Sequence, residues 1–164
     1  MLADAPAPSA AGVAALKAYL RQHGLILFDT GVDTAGPAAA QAALQRVAAA
    51  LDLPPLEPLG PDHVLSHSFY ILNQYPGRLS GGEVWVDAGT QGADGAVATT
   101  VIGGHDWTAA WAEEPAGAAI GAPGRNRQSE LAFRFGINLV VYALTGTYKA
   151  DQVHVPALLE RMER

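Results

Sequence analysis

The chain has 164 residues, 49% apolar and 16% charged, with 10 basic against 16 acidic side chains and no cysteine. That mixture suits one globular domain spanning residues 1–164, and a net charge of −6 without any Lys- or Arg-rich run argues against a nucleic-acid partner. Lacking cysteine, it has no disulfide, zinc thiolate, iron–sulfur cluster or thiol nucleophile.

No apolar run approaches the roughly 20 residues that cross a bilayer, and Met1-Leu2-Ala3-Asp4 has neither the basic nor the apolar part of a secretory signal. The chain as given is expected to be soluble. Ser9 is placed to cap a helix in which Val13, Leu16 and Leu20 share a face, ending before Gly24. Leu25-Ile26-Leu27-Phe28 is continuously apolar, as in a strand covered on both faces, and stops at Asp29-Thr30-Gly31. Gly36-Pro37 opens an alanine-rich helix carrying Leu44, Val47 and Leu51. The proline-rich residues 53–60 read as a stiff connection.

Residues 63–73 predict a two-faced helix, with Leu65, Phe69 and Leu72 opposite His63, His67 and Tyr70. Residues 83–88 alternate as a strand, the glycine-rich residues 89–95 predict a turn, and residues 98–102 are β-branched enough for a second buried strand. Gly103-Gly104-His105-Asp106 leaves that strand, and Asp106 is positioned to cap a helix with Trp107 and Trp111. Residues 117–124 predict a loop. Asn126 begins a central helix to about Leu144, with Gly146 as its stop; Val155-Pro156 opens a last helix using Leu158, Leu159 and Met162. There is no internal repeat.

In open α/β sheets ligands bind beyond the carboxyl ends of the strands, where loops meet helix N-termini. Asp29 and His105-Asp106 follow two predicted strands, so a cleft with carboxylates and an imidazole is one expectation; turn and cap statistics favour the plainer roles. His63 and His67, one helical turn apart, together with His105 and Asp106, make a candidate ligand set for a divalent metal, the only cofactor expectation. A His-Glu-x-x-His motif, a Gly-x-Ser-x-Gly elbow and a phosphate loop are all absent. Asn138 inside the apolar helix must find partners and is expected to tie down a neighbouring loop; Trp107 would line any pocket beside His105.

The Phe28-Asp29 strand end, His63-x-x-x-His67-Ser68-Phe69-Tyr70, Gly103-Gly104-His105-Asp106-Trp107 and the tail from Asn138 to Pro156 together resemble the bacterial domain-of-unknown-function family 4159, from about Leu16 to the end. The resemblance implies a class I glutamine amidotransferase-like, flavodoxin-like α/β fold, with helices on both faces of a mainly parallel sheet that lacks its first strand or strands. It also implies the C-terminal part of a longer protein anchored in the bacterial plasma membrane. The N-terminal region of that parent or another protein would be the partner, and a second copy could cover the open sheet edge. True amidotransferases attack glutamine with a cysteine thiolate, so that reaction is excluded here. The expected function is a non-catalytic ligand- or partner-binding module drawing on Asp29, His63, His67, Tyr70, His105, Asp106, Trp107 and Asn138. The alternative is a metal-assisted hydrolase with Asp29 as base.

Overall fold

A computed structural model describes residues 8–30, 45–46, 48–80, 82–87, 98–112 and 127–162, with side chains through Thr145. Helix α1 (Ala10–Arg21) starts where predicted, and the Ser9 hydroxyl accepts from the Gly12 N–H at 3.1 Å. Strand β1 (Ile26–Asp29) follows. Of the alanine-rich helix, only residues 45–46 and 48–51 are described as helical, with Leu51 buried; Gly36, Pro37, Leu44 and Val47 lie outside the described residues. So do the turn at residues 89–95, the loop at residues 117–124 and the Asn126 cap.

Strands β2 (Leu56–Pro58), β3 (Trp85–Asp87) and β4 (Thr100–Gly103) join β1 in one sheet of order β1-β4-β3-β2. Only β1 and β4 run parallel; β3 is antiparallel to both β4 and β2. The sheet is therefore mixed, correcting the expectation of a mainly parallel one. The physical reason is a distant partner: β3 lies between β2 and β4 and runs against both, and residues 88–99 between β3 and β4 are barely long enough for the helical crossover that a parallel pair needs. β2 is itself a correction, since its prolines predict a connection and not a strand. Pro58 is tolerated because it ends a strand at the sheet edge, where one missing N–H costs no ladder bond.

β4 is buried along its whole length. Strand alternation divides the core. On one face Phe28, Ile102 and Leu51 pack with Val13, Leu16 and Leu20 of α1; on the other Val86, Val101, Leu65 and Trp107 pack with Phe135, Leu139 and Tyr142. Helices thus cover both faces, as expected. The second face is supplied by α2 (Trp107–Ala112) and α3 (Arg127–Met162). Gly146 and Pro156 fall inside α3 instead of ending one helix and opening another; an interior glycine costs about 1 kcal/mol against alanine and an interior proline about 3 kcal/mol, so neither is an absolute stop. Among the described residues no helix is long and apolar enough to cross a membrane.

Residues 63–73 do not form the predicted helix. A single 3₁₀ turn, Val64–His67, is all that forms, because other partners take the backbone groups that a helix would use. His63 Nδ1 accepts from the Leu65 N–H at 3.1 Å, and buried Asn138 accepts from Tyr70 N–H while donating to the carbonyls of Leu65 and Tyr70. In consequence Leu65 and Leu72 are buried as the wheel predicts, but Phe69 is 64% exposed.

Candidate functional site

The carboxyl ends of β1, β2 and β4 lie at one end of the sheet, with the start of β3 between them. There the chain turns from β4 into α2 through Gly104-His105-Asp106, and Asp106 takes a left-handed backbone, φ 55°. Asp29 organises this turn: its two carboxylate oxygens accept from the N–H groups of Asp106 at 3.0 Å and Thr108 at 3.2 Å. The capping role expected of Asp106 therefore belongs to Asp29, reaching across from the neighbouring strand. The Asp106 carboxylate instead pairs with Arg78 Nε at 2.6 Å.

That pairing is one of several clasps that hold residues 75–79 against the turn. Leu79 N–H donates to the His105 carbonyl, Arg78 N–H to the Asp106 carbonyl, Trp107 Nε1 to the Tyr75 carbonyl, and Gln128 Nε2 to the carbonyls of Gly77 and Arg78. Close approach requires glycine at Gly77, where a Cβ would stand 2.2 Å from the His105 carbonyl oxygen, and at Gly103, where it would stand 2.3 Å from the Trp107 ring.

A cleft of about 490 Å³ opens between this clasped segment and the ends of β2 and β3. Leu59, Pro58 and Val84 form its apolar wall; Asn73, Gln74, Ser80 and Glu83 are its polar side chains, with Tyr75 and His105 between. Tyr75 is fixed by its hydroxyl, 2.7 Å from Ser66 Oγ, and burial pushes its pKa upward. His105 is 3% exposed and stacks on Trp107 with ring centroids 4.7 Å apart. Its Nε2 edge lies beside Gly82, while Nδ1 is buried with no hydrogen-bond partner. Burial lowers its pKa, against the opposing pull of a hydrogen bond to the Gly82 backbone and the charge of Asp29, so the imidazole is held toward its neutral form.

The eight sequence candidates fall into two groups. Asp29, His105, Asp106 and Trp107 gather at the carboxyl ends, but only His105 lines the cleft. Trp107 is fully buried in the core and does not line it, because its indole N–H and both ring faces are occupied by Tyr75, His105 and Phe135. His63, His67, Tyr70 and Asn138 lie elsewhere. Asn138 is the predicted tie; Tyr70 lies half-buried beneath the Arg134 guanidinium, 5.0 Å from its ring centre.

His63 and His67 do not meet His105 and Asp106 as one ligand set, and no group of three or more His, Asp or Glu side chains able to hold a metal forms among the described residues. The reason is local: the 3₁₀ turn replaces the helix that would have aligned the two histidines, His63 Nδ1 is taken by Leu65, and the Asp106 carboxylate faces Arg78.

Sequence reasoning misses Asn73, Gln74, Tyr75, Ser80 and Glu83. The only signal for them is the glycine and proline punctuation around Pro76-Gly77 and Gly81-Gly82, which marks a loop without saying what it faces. No match to a curated protein was found. The family description Domain of unknown function (DUF4159) matches residues 2–144, most of the chain, and the protein belongs to that family.

Proposed function

We propose that the protein is a non-catalytic binding module whose ligand is a small polar molecule seated in the cleft at the strand carboxyl ends. The observation that carries this reading is the cleft itself, in which the polar side chains of Asn73, Gln74, Ser80 and Glu83 share the lining with apolar Pro58, Leu59 and Val84 and with the His105 imidazole. The clasped wall supplies the rest of the case, since a pre-ordered site loses little entropy on binding. The amidotransferase-like fold implied by the resemblance agrees with the parallel β1–β4 pair and with a site at the strand carboxyl ends. The setting in a membrane-anchored parent rests on the resemblance alone. Metal-assisted hydrolysis is not carried forward, because its ligands do not gather.

The test is a thermal-shift and amide-NMR screen of polar metabolites. A true ligand at about 100 times its Kd adds roughly 2.7 kcal/mol of stability. It should also move the amide signals of residues 73–75 and 82–84, and Ser80→Trp, at the exposed rim, should abolish both effects. A screen in which every stabilising compound ignores Ser80→Trp would sink the reading.

The partner-binding side has its own observation. Leu25, Leu27, Trp111, Phe133, Ile137 and Val140 line an apolar groove of about 560 Å³ between β1 and α3, and among the described residues β1 has no strand on its outer side. Ile26 and Thr30 donate inward to β4, so the peptide groups of Leu27 face outward. A second copy fits this edge, because antiparallel pairing of two β1 strands about a twofold axis supplies each Leu27 with its partners. Sedimentation of the wild type should show a dimer that Val140→Asp converts to monomer; a monomeric wild type removes this reading.

A further inference from the structure

The side chains around the cleft have a one-sided charge. Among the described residues that line it, Glu83 is the only formally charged one, and no lysine or arginine is among them. Arg78, in the clasped wall, directs its Nε to Asp106. His105 adds no positive charge near neutral pH, because burial holds it neutral. The whole chain carries a net charge of −6, so its long-range field has the same sign as the rim carboxylate. Asn73, Gln74 and Ser80 also line the cleft, and their amides and hydroxyl both donate and accept.

Resting on the binding reading above, we propose that the cleft selects a small organic cation bearing hydroxyl or amide groups, with Glu83 as its counter-charge, and turns away carboxylates and phosphates. An ammonium group at the rim gains a charge-assisted hydrogen bond from Glu83. An anion meets that carboxylate with no basic side chain among the described lining residues to offset the repulsion. Neutral amides and hydroxyls then recognise the body of the ligand without regard to its charge. A cleft of about 490 Å³ accommodates a molecule the size of a monosaccharide.

Three probes on one pyranose ring and of different charge separate the terms: glucosamine, a cation; N-acetylglucosamine, neutral; and glucuronate, an anion. Each is titrated into the whole chain while the amide signals of residues 73–75 and 82–84 are followed by NMR. Glucosamine is expected to bind about tenfold tighter than glucuronate at low salt, and Glu83→Gln should weaken glucosamine about fivefold while leaving N-acetylglucosamine unchanged. Because Glu83 is exposed, the preference should shrink in about 1 M salt, where the screening length is roughly 3 Å. If glucuronate binds as tightly as glucosamine, or if Glu83→Gln leaves glucosamine unaffected, the charge selection is wrong although the cleft still binds. If all three leave these amides unmoved up to their solubility limits, the ligand class is wrong, and the metabolite screen with Ser80→Trp still judges the cleft by itself.

Discussion

The two ends of β4 are built from the same residue types and finished differently. At its amino end buried Asp87 accepts from the Thr99 N–H at 2.9 Å and the Thr99 hydroxyl at 2.7 Å, and its charge reaches His63, whose Nδ1 is satisfied by Leu65. Beside them Tyr142, its pKa raised by burial, accepts from the Ala98 N–H at 2.7 Å. At the carboxyl end Asp29 also accepts two hydrogen bonds, both from backbone N–H groups, and His105 borders a cleft. A histidine near an aspartate is thus not a site in itself; the difference is that His105 lines the cleft and His63 does not.

The widest test of this contrast is the segment that joins the two ends. Residues 63–73 run from His63 to the cleft residue Asn73 and are fastened by Asn138, which is fully buried and makes three side-chain hydrogen bonds to Leu65 and Tyr70. Asn138→Ala strands those three backbone groups and should destabilise the fold by about 3 kcal/mol, read as a lower urea midpoint. If the segment is a structural strut, ligand binding in the cleft weakens with it; a variant of unchanged stability would show that the segment is held by something else.

Next in size is Asp29. Asp29→Ala removes both acceptors from the turn that positions His105 and should cost about 2 kcal/mol, in line with loss of a strong helix cap. Asp29→Asn keeps one good acceptor and should cost less than half as much. Equal losses in the two variants would mean that the charge near His105, and not the hydrogen bonds, is what the turn requires.

These residues also show how far sequence carries. α1 with its Ser9 cap, β1 and β4 are legible because each is announced by local pattern: a cap, a 3.6-residue apolar repeat, a short β-branched or apolar run. Asn138 is legible as a tie because a lone amide in an apolar helix must bond something. The direction of β3, the strand at Leu56–Pro58 and the loss of the helix at residues 63–73 are not legible, because each is decided by a distant partner. The cleft wall is least legible of all. Its clasps at Leu79 and Arg78 run largely through backbone groups, which every residue except proline carries alike.

The histidines give a smaller effect with a definite sign. Burial lowers the pKa of both His63 and His105, whereas in the unfolded chain each titrates near 6.5. Above about pH 6.5 both states are neutral and nothing is lost. As pH falls below that value the unfolded chain takes up protons that the fold excludes, so stability drops by up to about 1.4 kcal/mol per pH unit for each histidine until its folded pKa is reached. His63→Asn should flatten this slope at the amino end while preserving the turn, since an asparagine oxygen also accepts from the N–H two residues on. His105→Gln should flatten the other half. Stability curves between about pH 7 and pH 5 check both, and a slope indifferent to either change would show that the histidine concerned is solvated.

The smallest effect sharpens the contrast from the other side. Thr100, at the amino end of β4, is fully buried and its hydroxyl has no hydrogen-bond partner among the described residues, yet it does not line the cleft. If an unpartnered polar atom there serves no ligand, removing it should relieve a desolvation cost without loss. Thr100→Val keeps the β-branched shape that the strand prefers and replaces the hydroxyl by a methyl group, so stability should rise by about 0.5 kcal/mol, measured by chemical denaturation. A loss of about 1 kcal/mol or more would instead show that the hydroxyl holds a buried water bridging to its surroundings, and the amino end would then be closed through solvent as well as through Asp87 and His63.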